Sequence, residues 1–117
     1  MIPVENIAEW RGQDVVDTGG AKLGKLEHLY YDGETDEPSF IAVKTGLMNK
    51  SLTLVPLAHA SVGRDFVRVR RTKGEFKKAP SFDPGTELTL DYEAAAYSHY
   101  GLEYSPAGSG ARRLAKR

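Results

Sequence analysis

Between Gln13 and Arg71 the apolar residues fall in short runs broken by turn-forming residues, and no helix-length amphipathic stretch intervenes. This pattern constrains the fold more than any other feature. Short strands joined by tight turns build an antiparallel barrel or sandwich, whereas parallel βαβ units need a crossover helix between strands. Asp14-Val15-Val16-Asp17 is a short β run ended by Thr18-Gly19-Gly20, whose glycines accept positive φ. Lys22 to Asp32 carries Leu23, Leu26, Leu29 and Tyr31. Strict alternation does not give that spacing, which predicts either a bulge near Leu26 or a strongly coiled strand.

Asp32 to Pro38 is a polar turn-forming loop, and Ser39 to Lys44 reads as a central strand because Phe40, Ile41, Ala42 and Val43 put apolar side chains on both faces. A loop over Thr45 to Lys50 leads to a strand over Ser51 to Leu57. Pro56 suits the end of that strand because it donates no ladder hydrogen bond. After the Gly63-Arg64-Asp65 turn, the alternation in Phe66 to Arg70 places Val67 and Val69 inside and Arg68 and Arg70 in solvent.

The flanks differ in character. Val4, Ile7 and Trp10 have helical spacing ahead of Gly12, which predicts a short N-terminal helical turn with Trp10 over one end of the core. Thr72 to Pro80 reads as a basic helical turn, and Ser81 to Gly85 as a linker. Thr89 is placed to cap a helix from Leu90 to Tyr100. Asp91 and Glu93 favour its first turn, and Gly101 its end. The expectation is a mainly β chain, a small antiparallel β-barrel over residues 1–80. Residues 81–104 supply a linker and a C-terminal helix packed on the barrel, and 105–117 a flexible basic tail.

At 117 residues such a chain holds one modest core, with little room for a deep enclosed active site. There is no cysteine, which excludes disulfides, thiol catalysis and thiolate metal sites. The first residues lack the basic and apolar regions of a secretory signal, and no apolar run nears the roughly 20 residues that cross a bilayer, so the expected location is cytoplasmic. The formal net charge is zero but unevenly spread. Residues 1–60 carry five Lys/Arg against nine Asp/Glu, and residues 61–117 eleven against seven. Such an asymmetry favours head-to-tail association or an acidic partner unless the two halves interleave in space.

Trp10-Arg11-Gly12-Gln13-Asp14-Val15-Val16-Asp17, the glycine turn, Leu23-Gly24-Lys25-Leu26 and Asp32 together resemble the opening of the PRC-barrel family, with its G-x-x-V strand, turn and (I/L)-G-x-(V/L) strand. The family takes its name from the cytoplasmic domain of the photosynthetic reaction-centre H subunit, and a related barrel occurs in the ribosome-maturation factor. Val55-Pro56-Leu57, Val67-Arg68-Val69, Lys78-Ala79-Pro80 and Tyr97-Ser98-His99-Tyr100-Gly101-Leu102 are similar to a bacterial stand-alone subgroup. The Met48 to Ser51 loop lacks an aromatic often found there, and Arg70-Arg71 is more basic than usual. The resemblance implies a barrel without shared catalytic residues.

The residues agree with that implication. His28, His59 and His99 lie in separate elements without metal-ligand spacing, and Ser39, Ser51, Ser61, Ser81 and Ser98 sit in no nucleophile elbow. Gly19 to Gly24 joins two strands rather than opening a helix, so it has no dipole to offer a phosphate. No catalytic, cofactor or metal residue is assigned. Two contact surfaces remain. Tyr92, Ala96, Tyr97, Tyr100 and Tyr104 make a tyrosine-rich surface on two helical stripes: Leu90, Ala94 and Tyr97, and Tyr92, Ala96 and Tyr100. One stripe can dock on the barrel and leave the other for a second copy or a protein partner, or both can pack internally. Arg68, Arg70, Arg71 and Lys73 form a basic patch open to an RNA or ribosomal partner or simply to solvent.

Overall fold

Lys22–Asp32 forms the longest strand, β2, and the sheet is organised around it. A computed structural model describes residues 10–46, 51–83, 87–104 and 113–116. The other elements are β1 (Asp14–Val16), β3 (Pro38–Thr45), β4 (Ser51–Pro56), β5 (Ser61–Val62), β6 (Phe66–Arg68), α1 (Lys73–Lys77), β7 (Ser81–Phe82), α2 (Leu90–His99) and β8 (Leu114–Lys116). The strands form one sheet in the order β5-β6-β1-β2-β3-β4-β7, with β8 added to β2. β1 and β8 share one edge of β2: β1 pairs with its beginning, β8 with Tyr30 to Asp32 at its end. β3 runs along the other edge and pairs in turn with the whole of β4.

The mainly β expectation holds, but the antiparallel barrel is corrected in two respects. β6 lies parallel to β1, with Val15 opposite Val67, so the sheet is mixed. Its ends, β5 and β7, are not paired with each other, so among the described residues the sheet is not closed into a barrel. Alternation in sequence reports which face of a strand is buried, but not the direction of its neighbour or whether the last strand meets the first.

The irregular spacing in β2 has the expected cause. The register against β3 shifts between Leu26 and His28, and again between Tyr30 and Tyr31. With a further shift against β1 that leaves Leu23 unpaired between Lys22 and Gly24, they accompany the burial of Leu23, Leu26, Leu29, Tyr30 and Tyr31. Gly24 is required for a different reason. A Cβ there would run into the backbone carbonyl of Lys44 and the Val43 side chain, so only glycine lets β3 approach this closely. Ile41, Val43, Val55, Val67 and Val69 are wholly buried, and Arg68 and Arg70 point to solvent as the alternation predicts.

α1 packs Phe76 into the core behind its Thr72 cap, whose side chain accepts from the Glu75 N–H at 3.1 Å. The Asp17 carboxylate joins this helix to the first turn. It accepts from the N–H groups of Gly19 and Ala21 at 2.9 and 2.8 Å, and from that of Lys73 at 3.0 Å. Ser81 and Phe82 do not act as a simple linker: they pair with Thr53 and Leu52 as β7. Trp10 is buried, and Gly12 has φ +85°. Val4 and Ile7, the rest of the expected N-terminal turn, lie outside the described residues.

Candidate interaction surface

Helix α2 starts and stops as its sequence predicts. Thr89 accepts from the Tyr92 N–H at 3.2 Å, and Gly101 closes the helix at φ +70°. The buried face differs from either expected stripe. Glu93, Ala96, Tyr97 and Tyr100 are the residues turned inward, at i, i+3, i+4 and i+7. Tyr97 packs on Phe40 with ring centroids 5.0 Å apart, and Tyr100 does so at 6.5 Å. The Tyr100 hydroxyl donates to the Leu54 carbonyl at 2.7 Å, which satisfies an edge group of β4 beyond the reach of β7. Burial pushes the Tyr97 and Tyr100 phenols above their ordinary range, so both stay protonated.

Three of the five residues expected on a contact surface, Ala96, Tyr97 and Tyr100, are therefore core residues of this chain. Tyr104 is half-buried, sets its ring 4.8 Å from that of Tyr97 at a tilt of 54°, and donates to Glu93 Oε1 at 2.5 Å. Tyr92 alone of the five is open, at 37% exposure, beside Leu90 at 40%. Its ring lies 5.7 Å from that of Phe82.

Glu93 is the residue that sequence reasoning missed. Its place in the first turn suits the helix dipole, yet it is fully buried. Its carboxylate receives the Tyr104 hydroxyl and the backbone N–H groups of Arg113 at 2.7 Å and Leu114 at 2.8 Å. The signal was present in the inward spacing shared with Ala96, Tyr97 and Tyr100, but an acid does not enter a search for apolar stripes. This clamp, on the N–H groups of Arg113 and Leu114, seats Leu114–Lys116 as a strand on β2, within the stretch where a flexible tail is expected. Leu114 is 1% exposed. Arg113 Nε donates to Asp32 Oδ2 at 2.6 Å, and the Arg113 carbonyl accepts from the Gly33 N–H at 2.7 Å. Burial raises the Asp32 pKa, but the Arg113 hydrogen bond and the N–H groups of Glu34 and Thr35 outweigh it and leave the net shift downward.

The basic patch is split. Arg71 turns inward to Glu75 Oε2 and the Tyr100 carbonyl, both at 3.2 Å, with its guanidinium 5.2 Å from the Tyr100 ring centroid. Arg68 is exposed but lies over Phe66 at 5.5 Å, while Arg70 and Lys73 are exposed. The three histidines stay apart: His28 faces Arg11, His59 sits at a positive φ, and His99 donates to the Glu75 carbonyl at 2.7 Å. Among the described residues no group of three His, Asp or Glu is arranged to hold a metal.

Two shallow grooves flank β7. One, of about 330 Å³, is lined by Thr53, Ser81, Phe76, Lys73 and Lys77 among others. The other, of about 280 Å³, has Phe82, Tyr92, Asp83 and Glu87 on its walls. At the far end of the sheet Val62 of β5 is 39% exposed. No helix among the described residues is long and apolar enough to cross a membrane.

A family model described as the PRC-barrel domain matches residues 3–76. The chain belongs to the PRC-barrel domain family. The match covers β1 to β6 and most of α1, and leaves β7, α2 and β8 outside it. A search of curated proteins found no match.

Proposed function

We propose that this PRC-barrel chain is a non-enzymatic interaction module that associates with itself or docks a protein partner in the cytoplasm. The observation that carries the reading is a sheet that is open among the described residues and whose terminal strands, β5 and β7, sit beside exposed apolar side chains: Val62 at one end, Tyr92 and Leu90 at the other. Both edge strands are only two residues long, so it is the exposed apolar side chains beside them, more than backbone pairing, that another chain would cover. The buried carboxylates support the non-enzymatic half of the reading. Asp17 and Glu93 are both saturated by N–H or hydroxyl donors of the chain itself, which leaves them serving the fold. An RNA- or ribosome-associated role would have to rest on Arg70, Lys73 and Arg68, because Arg71 is drawn into the fold. Sedimentation velocity over a concentration series tests the self-associating form. A dimer that grows with concentration supports it, and a strict monomer at high micromolar concentration removes it.

A further inference from the structure

We propose that the edge of β2 at Tyr30–Asp32, with the Glu93 and Asp32 carboxylates at its end, is a binding slot for an extended arginine–leucine segment, and that the C-terminal segment of a second copy of this chain exchanges into it. The proposal rests on the interaction-module reading and names the partner.

Three features of the slot carry it. First, β8 is held as a bound peptide is held, by addition to a sheet edge with pockets for particular groups. Tyr30, Tyr31 and Asp32 pair with Lys116, Ala115 and Leu114, while Leu114 is buried and Glu93 receives two consecutive backbone N–H groups. Second, the segment stands apart from the rest of the sheet. The path from β5 to β7 is complete without it, so its withdrawal breaks no other strand pairing. It is joined to Tyr104 through Ser105-Pro106-Ala107-Gly108-Ser109-Gly110, a composition typical of linkers. Exchange of such an element between copies is a low-cost route to a dimer.

Third, the slot is costly to leave empty. Without the segment, the buried Glu93 carboxylate loses two of its donors and Asp32 loses its guanidinium. Any occupant must return the same groups, and a second copy offers an identical set. Charge favours the encounter. Arg113 lies 2.6 Å from Asp32 and 3.7 Å from Glu34, in a turn whose sequence also holds Asp36 and Glu37, and the sequence of the C-terminal segment holds Arg112, Arg113, Lys116 and Arg117. The tether gives the chain's own segment a millimolar-range local concentration, so exchange between copies shows only when the protein is concentrated.

The test uses the full chain and a fluorescent peptide of sequence Ala-Arg-Arg-Leu-Ala-Lys-Arg. By anisotropy, the peptide should bind wild-type protein weakly, because the resident segment competes. It should bind Leu114→Ser protein about tenfold or more tightly, because the resident segment has lost its buried side chain. Adding Asp32→Asn to Leu114→Ser should weaken that binding, and a peptide with serine for leucine should not bind. If Leu114→Ser unfolds the chain, the peptide should restore a cooperative melt. A folded Leu114→Ser chain that ignores the peptide, or an unfolded one that the peptide does not rescue, overturns the slot. In sedimentation, excess peptide should dissolve the wild-type dimer. A dimer that survives saturating peptide overturns the second copy as occupant while leaving self-association standing. A chain that binds the peptide but stays monomeric overturns both.

Discussion

The carboxylate of Glu93 accepts the backbone N–H of Leu114 at 2.8 Å, across 21 positions of sequence, and by doing so joins helix α2 to a strand at the other end of the chain. Together with its bonds to Tyr104 and Arg113, this makes one buried side chain the fastener between α2 and the C-terminal strand, two elements that lie beyond the family-matched residues.

Glu93→Gln should loosen that fastener. A side-chain amide keeps one acceptor oxygen but turns an NH2 group towards donors that need an acceptor. A buried donor left unpaired costs about 1–3 kcal/mol. Urea unfolding should show a loss of this order, and amide exchange should speed up at Arg113 and Leu114 before it does in β3.

Tyr100→Phe removes the donor to the Leu54 carbonyl and leaves that edge group of β4 buried. The expected cost is about 1–2 kcal/mol in thermal or urea melts. The wild-type chain should also be sensitive to alkali. Burial raises the pKa values of Tyr97, Tyr100 and Tyr104, with the Glu93 hydrogen bond adding to the rise at Tyr104. Their stabilisation is complete below the ordinary tyrosine value of about 10 and is lost as pH climbs towards the raised folded values. Unfolding should therefore accompany phenol ionisation, followed by ultraviolet absorbance.

Gly24→Ala forces a methyl group against the Lys44 carbonyl, which the β2–β3 ladder holds in place. Overpacking of this kind costs about 1–3 kcal/mol. Gly12→Ala, where a Cβ meets nothing within 4 Å but φ is +85°, would act through backbone strain alone. A folded-state comparison by NMR should show shifts along β3 for the first substitution and only local ones for the second.

Acid should weaken the fold through three aspartates. The Asp17 pKa is lowered by backbone N–H groups, chiefly that of Ala21, and that of Asp14 by Lys25 and Lys22. That of Asp32 is lowered by Arg113 against the opposing effect of burial. Depressed carboxylates stabilise fully above the unfolded aspartate value of about 3.9 and lose that contribution as pH falls through their lower folded values. Stability should drop steeply below about pH 4. Asp17→Asn should be less stable at pH 7 and show a shallower acid limb in a urea series.

Much of the fold was legible because its signals are local. The Leu23–Leu26–Leu29 spacing encodes the bulge in β2, Val67 and Val69 their inward face, and Thr89 and Gly101 the two ends of α2. What stayed hidden are partnerships between distant residues. Nothing near Asp17 announces that it will receive the Lys73 N–H, and nothing in Asp14 to Val16 announces a parallel neighbour in Phe66 to Arg68. The contact surface suffered most. Tyrosines fit an interface and a core equally well, and it takes the distant partners Phe40 and Leu54 to turn Tyr97 and Tyr100 inward. The basic tail misled in a related way, because Arg113 looks like a solvated charge until Asp32 is beside it.

The central claim, that this PRC-barrel chain works by associating with another chain, is tested most directly by sedimentation velocity of the full protein from low micromolar to near-millimolar concentration. A reversible dimer whose fraction rises with concentration is the result expected. A single monomeric species across the whole range would contradict the self-associating account.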